Sequence, residues 1–526
     1  MLNSVQDGAI SAWSGWSRLT AGALIVVLGA SLGALTSVLA QELSPQFIVL
    51  ILAGLIGGAV VLLLLKRLSV LISLVLFYAP VELFVQKWLP DSVGSASRYA
   101  SEGLLIVAFI ALLLDRMRAG KPWKRTPLDI PLLLFVGVGI LSAVVNRIPI
   151  LVAGLGFRIL LRYVLLFYLI IQIGYTHEAA RKLIRAILFL ASIVIGIGFL
   201  QALIGPPITR ILHVEETRIG EQTLRTISGV LTARGRYIFS TLGRYDALGV
   251  YLTVIFLLAL ALYYYYPIYR RKLGCFVVAT GVCLLLTMSR QSWVAIYVAL
   301  WTWGLIARKK RFVNLMVLLL AISGVIFLMI NVAPHLVRYF STQELGQATI
   351  LTRILEPFSR DYFEVSAYRG GRFFTLRFIG GRILELSPWL GFGPGRFGSI
   401  TATYFGFSTA DLLGVEPWQV HFADDVNWIT ILGQYGLLGV ITFLSMFWVL
   451  FRYACRIYRR PMHRRSPEVL TKSIALTCIG CIPVLVLLGF LGPNFEQRAV
   501  AMYFWTIMGL LVALARADST APAGTA

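Results

Sequence analysis

Apolar residues recur along the chain in blocks broken by short polar segments. Each block approaches the roughly 20 residues a helix needs to cross hydrocarbon. The pattern predicts fourteen spanning helices, at about 19–40, 46–65, 68–86, 99–114, 128–145, 158–174, 183–204, 239–262, 273–288, 291–307, 312–333, 426–451, 470–490 and 499–515. Two short segments admit a re-entrant reading, which widens the range to 12–14. The weaker alternating runs of about ten residues that build a membrane barrel are absent. The block at 19–40 is followed at once by another, so it reads as a retained helix rather than a cleaved signal peptide. The expected fold class is an all-α polytopic membrane protein.

Composition agrees: 58% of the 526 residues are apolar and 13% are charged, with a mean hydropathy of +0.82. The net charge of +23 would suit nucleic acid if it were clustered on one face. It is instead spread over short loops at 66–67, 115–125, 176–182, 270–272, 307–311 and 452–466. With fourteen spans these loops fall on one side, and the positive-inside rule makes that side cytoplasmic, with both termini. The stretches at 205–238 and 334–425 then face outward. The five cysteines lie in or beside apolar blocks, and Cys478 and Cys481 read as buried helix residues rather than a redox pair.

The implied organisation is a transmembrane bundle at 1–333, a large loop at 334–425, transmembrane helices at 426–516 and a disordered tail at 517–526. The outward stretches carry many arginines, Arg234, Arg236, Arg369, Arg372 and Arg396 among them. Guanidinium groups there suit a phosphate or diphosphate, because the planar fork gives paired, charge-assisted hydrogen bonds. The alternative is pairing with lipid headgroups or with local carboxylates such as Glu215, Glu216 and Asp361. Arg290 is the only charge between two apolar spans, which is costly without a partner or snorkelling. Arg244 lies two residues before Asp246, and that pair can neutralise itself. His421 precedes Asp424 and Asp425 at a helix start, where one carboxylate can orient the imidazole or serve as N-cap. GFGPGRFG at 391–398 lacks the lysine and hydroxyl residue of a nucleotide loop and reads as a tight turn presenting Arg396.

Three segments resemble the O-antigen ligase and polysaccharide polymerase superfamily: STLGRYDALGVYL at 240–252, LTMSRQSWVAI at 286–296, and LSPWLGFGPGRFG followed by VHFADDVNWITILGQYGLLGVITFL, ending at 444. Tyr245, Asp246, Gln291 and Phe422 depart from the family pattern. The resemblance implies a GT-C-like bundle with a large, partly helical periplasmic loop in a bacterial inner membrane. It also implies an inverting, metal-independent and cofactor-free glycosyltransferase using an undecaprenyl-diphosphate-linked glycan. Arg236 (or Arg234) and Arg290 would hold the diphosphate. His421 would position the acceptor or take its proton, with Asp424 or Asp425 as its partner. Arg244, Arg369, Arg372 and Arg396 would support the diphosphate.

Acceptors under this reading are a glycan, lipid A-core or protein. The RGGR and IGGR elements of the loop favour a polymerase over either ligase. Membrane lipids and polysaccharide export or chain-length proteins are the expected partners, and nucleic acid is not. A lipid-glycan transporter would instead show broken or charged helices at the midplane and internal repeats. A non-catalytic assembly subunit would tolerate neutral replacement of Arg290 and His421. The enzyme reading further expects a cavity open to lipid, with Arg290 accessible from it or from the loop.

Overall fold

In the computed structural model the described residues are 68–88, 99–212, 237–307, 371–461 and 466–520, with backbone pieces at 217–219 and 222–224 and a few isolated positions between 314 and 368. The chain divides into two units, Met1–Arg67 and Leu68–Ala526, and the described residues belong to the second.

The helices in chain order are α1 Leu68–Tyr78, α2 Glu82–Lys87, α3 Ala100–Arg118, α4 Asp129–Val145, α5 Ile150–Leu161, α6 Val164–Ile173, α7 His177–Ile204, α8 Pro206–Leu212, α9 Tyr245–Tyr265, α10 Arg270–Leu286, α11 Arg290–Ala307, α12 Asn427–Arg459, α13 Ser466–Leu488 and α14 Arg498–Thr520. An antiparallel pair, Thr217–Ile219 with Gln222–Leu224, lies between α8 and α9. Shorter helical turns occupy 372–386, 400–404 and 409–413.

Among the described residues, α7, α9, α12, α13 and α14 are long and apolar enough to cross a membrane, and the bent pair α5–α6 makes a sixth if it counts as one span. This corrects the expectation of about fourteen spans in a GT-C-like bundle. α1 and α4 are apolar but short, and α3, α10 and α11 do not combine the length with the apolarity. The expected spans at 19–40 and 46–65, and nearly all of 312–333, lie outside the described residues. Apolar helices of spanning length are what the described part offers a membrane.

α14 is the hub. Its apolar stretch is 94% buried within the protein, and it packs on α6, α9 and α13. Its Phe504 joins an aromatic cluster with Phe447, Phe443, Phe495 and Trp428. α12 carries a break that the glycine-rich turn repairs. At Gly436 the backbone turns to φ 66°, ψ −168°, which strands nearby carbonyls and amides. The 388–393 segment supplies their partners. Phe392 and Gly393 donate N–H to Gly433 and Gln434 at 2.7 and 3.1 Å, and the amides of Leu437 and Leu438 reach Pro388 and Trp389 at 2.8 and 3.3 Å. Non-helical backbone is tolerated in such a place only when protein satisfies it. A Cβ at Gly391 or Gly436 would press on the opposing backbone, which explains the glycines.

Candidate functional site

Three helices begin around one cavity of about 580 Å³: α3, α9 and α14. Their N-terminal partial charges face it. α9 is held there by its leading turn. Gln201 on α7 accepts from the amides of Phe239 and Ser240 at 3.0 and 2.9 Å, and Ser240 donates to the Val194 carbonyl at 2.7 Å. That clamp sets Thr241 and Arg244 against the cavity. A second wall comes from the 63° bend between α5 and α6, which exposes Arg158 and Arg162 to the same space. Arg498, Glu496 and Glu82 complete the charged lining, and Leu83, Leu151, Leu155 and Ile159 give it an apolar side.

The arginines are held by carboxylates behind them. Glu102 binds Arg158 Nε at 2.5 Å and Arg162 at 2.7 Å, and lies 3.8 Å from Arg498. Arg498 also pairs with Glu82. Arg244 forms a two-point pair with Asp246 at 3.0 and 2.9 Å. Glu496 is treated differently: Arg162 donates to its backbone oxygen at 2.8 Å, while its carboxylate accepts from the Asn427 amide at 3.0 Å. Burial pushes the Glu496 carboxyl up to about 7, against the pull of Arg162 and with help from the Asp424 charge.

Several polar atoms of residues around this cavity, Thr241 Oγ1, Glu82 Oε2, Arg162 Nε and both amide atoms of Gln497, are buried in the protein and have no hydrogen-bond partner. Buried polar groups are otherwise nearly always paired.

Of the residues singled out in the sequence, Arg244 alone lines the cavity. Asp425 lies 3.8 Å from Arg372 and acts electrostatically on Arg244. Asp424 acts on Glu496, so these residues form one charged rim. The Asp424 carboxyl is pushed up to about 6, by surrounding protein first and the Asp425 charge second. Its side chain nonetheless opens to solvent, which limits how far desolvation can carry it. His421 is exposed beside Asp424, its ring edge-on to Phe422. Arg290 is half-buried at the start of α11, away from the cavity lining. Arg396 sits over the Phe407 ring at 5.6 Å. Arg234, Arg236 and Arg369 lie outside the described residues.

Sequence reasoning missed Glu82, Glu102, Arg158, Arg162, Glu496, Gln497 and Arg498. The signal was present, because Glu102, Arg158 and Arg162 are charges inside apolar blocks. No group of three or more metal-ligating residues occurs among the described residues.

No protein-family model matches the chain, and no curated protein matches it. Together with five or six helices of spanning length among the described residues in place of fourteen spans, this overturns the reading of a periplasmic glycan-polymerising glycosyltransferase and its ligase variants.

Proposed function

We propose that the protein is a membrane protein that binds a phosphate-bearing amphiphile, with the anionic head in the arginine cavity and the apolar part along Leu83, Leu151, Leu155 and Ile159. The observation that carries the reading is the cavity lining itself: Arg158, Arg162, Arg244 and Arg498 beside an apolar wall. Guanidinium forks match phosphate oxygens, and the helix N-termini add positive potential at the same point.

The orientation follows from the same helices. α9, α12 and α14 begin at the cavity end. Their far ends meet basic segments: Arg270 and Arg271 follow α9, Arg456 and Arg459 end α12, and Arg516 of α14 reaches the carbonyl of Arg125. Basic loops favour the cytoplasmic face, so the cavity is proposed to open on the opposite side of the membrane.

The test is retention of anionic phospholipid by the purified chain, measured by native mass spectrometry. Wild type is expected to retain it in preference to a zwitterionic lipid, and Arg162→Ala with Arg158→Ala to lose that preference. Equal retention of both lipids by wild type sinks the reading.

A further inference from the structure

The carboxylates around the cavity are of two kinds. Glu82 and Glu102 are each gripped by guanidinium groups. Glu496 meets a neutral amide instead, and the orientation of that amide is fixed, because Asn427 Oδ1 accepts from the Phe495 amide at 2.9 Å. The Asn427 N–H therefore points at Glu496 Oε1. This hydrogen bond survives protonation of the carboxyl, and the second carboxyl oxygen then carries an O–H, a donor suited to an anionic oxygen.

The other charged and titratable groups around Glu496 are Arg158 and Arg162 from the α5–α6 bend, Glu102 from α3, Glu82 from α2, Arg498 from α14, and Arg244 with Asp246 at the start of α9. His421, Asp424 and Asp425 come from the segment before α12, and Tyr435 from α12 itself. Arg244 and Asp246 cancel, as do Arg372 and Asp425. Arg158, Arg162 and Arg498 balance Glu82, Glu102 and Glu496 when all three are ionised, so neutral Glu496 makes the surroundings one unit more positive, against one negative charge from Asp424 on the rim when that is ionised.

We infer that the cavity takes up its anion together with a proton, and that Glu496 is the group that receives the proton. The inference rests on the reading of the cavity as an anionic headgroup site. An anion placed among the arginines destabilises the Glu496 carboxylate, and a protonated Glu496 removes a repulsive charge and adds a donor. Burial places the titration of this carboxyl close to neutrality. Asp424, solvent-open on the rim, titrates lower and contributes less.

The test uses the full chain in detergent and short-chain phosphatidylglycerol, a phosphodiester whose own charge is constant from about pH 5.5 to 8.5. Binding is followed by calorimetry across that range. In wild type the Kd is expected to be flat at low pH and to rise by up to about tenfold per pH unit above neutrality, the limit for one linked proton. Glu496→Gln is expected to hold the low-pH affinity throughout, whereas Asp424→Asn keeps most of the wild-type slope. A pH-independent Kd in wild type overturns the coupling while leaving the anion site standing, as does a wild-type slope in Glu496→Gln. Failure of wild type to bind the probe at any pH overturns the site reading itself.

Discussion

Glu102 is the residue whose neutralisation tests the charged network most directly. Its side chain is 5% exposed and it holds two guanidinium groups, those of Arg158 and Arg162, at 2.5 and 2.7 Å, with Arg498 at 3.8 Å. Glu102→Gln preserves the volume and one acceptor oxygen but leaves those arginines without their shared counter-charge. Breaking a buried pair by removing one partner costs about 3–5 kcal/mol. Arg158 and Arg162 are 29% and 12% exposed, so solvent recovers part of that, and a loss of about 2–3 kcal/mol is expected. For a chain of this size that corresponds to a fall in Tm on the order of 2 °C. Intrinsic-fluorescence melting in detergent at pH 8 reads it. The same assay with phosphatidylglycerol separates structure from binding: the lipid replaces the missing negative charge, so its stabilising shift should be larger in the variant than in wild type. An unchanged Tm would show that Glu102 does not hold the arginines in solution. A smaller lipid shift in the variant would refute the placement of the anion beside them.

Gly436→Ala puts a side chain on a backbone at φ 66° and against the Trp389–Leu390 backbone, so a loss of at least about 2 kcal/mol is expected. Gly154→Ala, where a Cβ meets nothing within 4 Å, is the control and should be neutral or slightly stabilising by thermal melting. Thr241→Val keeps the shape of a buried side chain whose hydroxyl has no partner. It should leave Tm unchanged or higher in thermal melting; a clearly lower Tm would show that the hydroxyl is satisfied in solution. For Glu496 burial holds the native pKa at about 7, above the ordinary glutamate value of 4.5. Its contribution to stability is therefore full below about pH 4.5 and is lost as pH rises through 7, by roughly 3 kcal/mol at most. Glu496→Gln should melt with wild type at pH 5 and above it at pH 8.5, and parallel melting curves at both pH values would contradict the assignment.

The helices legible in the sequence are those whose apolar block was both long and continuous. α7, α9, α12, α13 and α14 lie where hydropathy puts them. The blocks at 68–86 and 158–174 look alike by apolar content, yet the first becomes two short helices and the second lies in the α5–α6 pair, which bends by 63°. Hydropathy cannot separate these outcomes. A helix facing a protein interior needs the same apolar residues as one facing lipid, and only length and the charges at its ends tell them apart. Arg158 and Arg162 mark the bend, so the charges that an uninterrupted span tolerates least are where the span is interrupted.

That coincidence also explains what was misread in the site. A topology of fourteen spans puts the outward arginines in loops, with Arg244 and Arg290 at span ends. Among the loop arginines that the structure describes, Arg372 answers to Asp425, Arg396 to the Phe407 ring and Arg382 to Glu385. The glycine-rich turn proved to serve α12: Gly391 approaches the Gly433 carbonyl and Gly395 the Val152 carbonyl too closely for a side chain. The turn is thus part of how a broken helix keeps its backbone satisfied. The charges that converge on a cavity are instead those written into apolar surroundings, Glu102, Arg158, Arg162 and Arg498, each costly there unless paired. Pairing accounts for most of that cost but leaves Thr241, Gln497 and one oxygen of Glu82 unmet. Packing alone would favour filling such a cavity with leucine, so the four arginines kept along its wall, Arg158, Arg162, Arg244 and Arg498, argue for an anionic occupant.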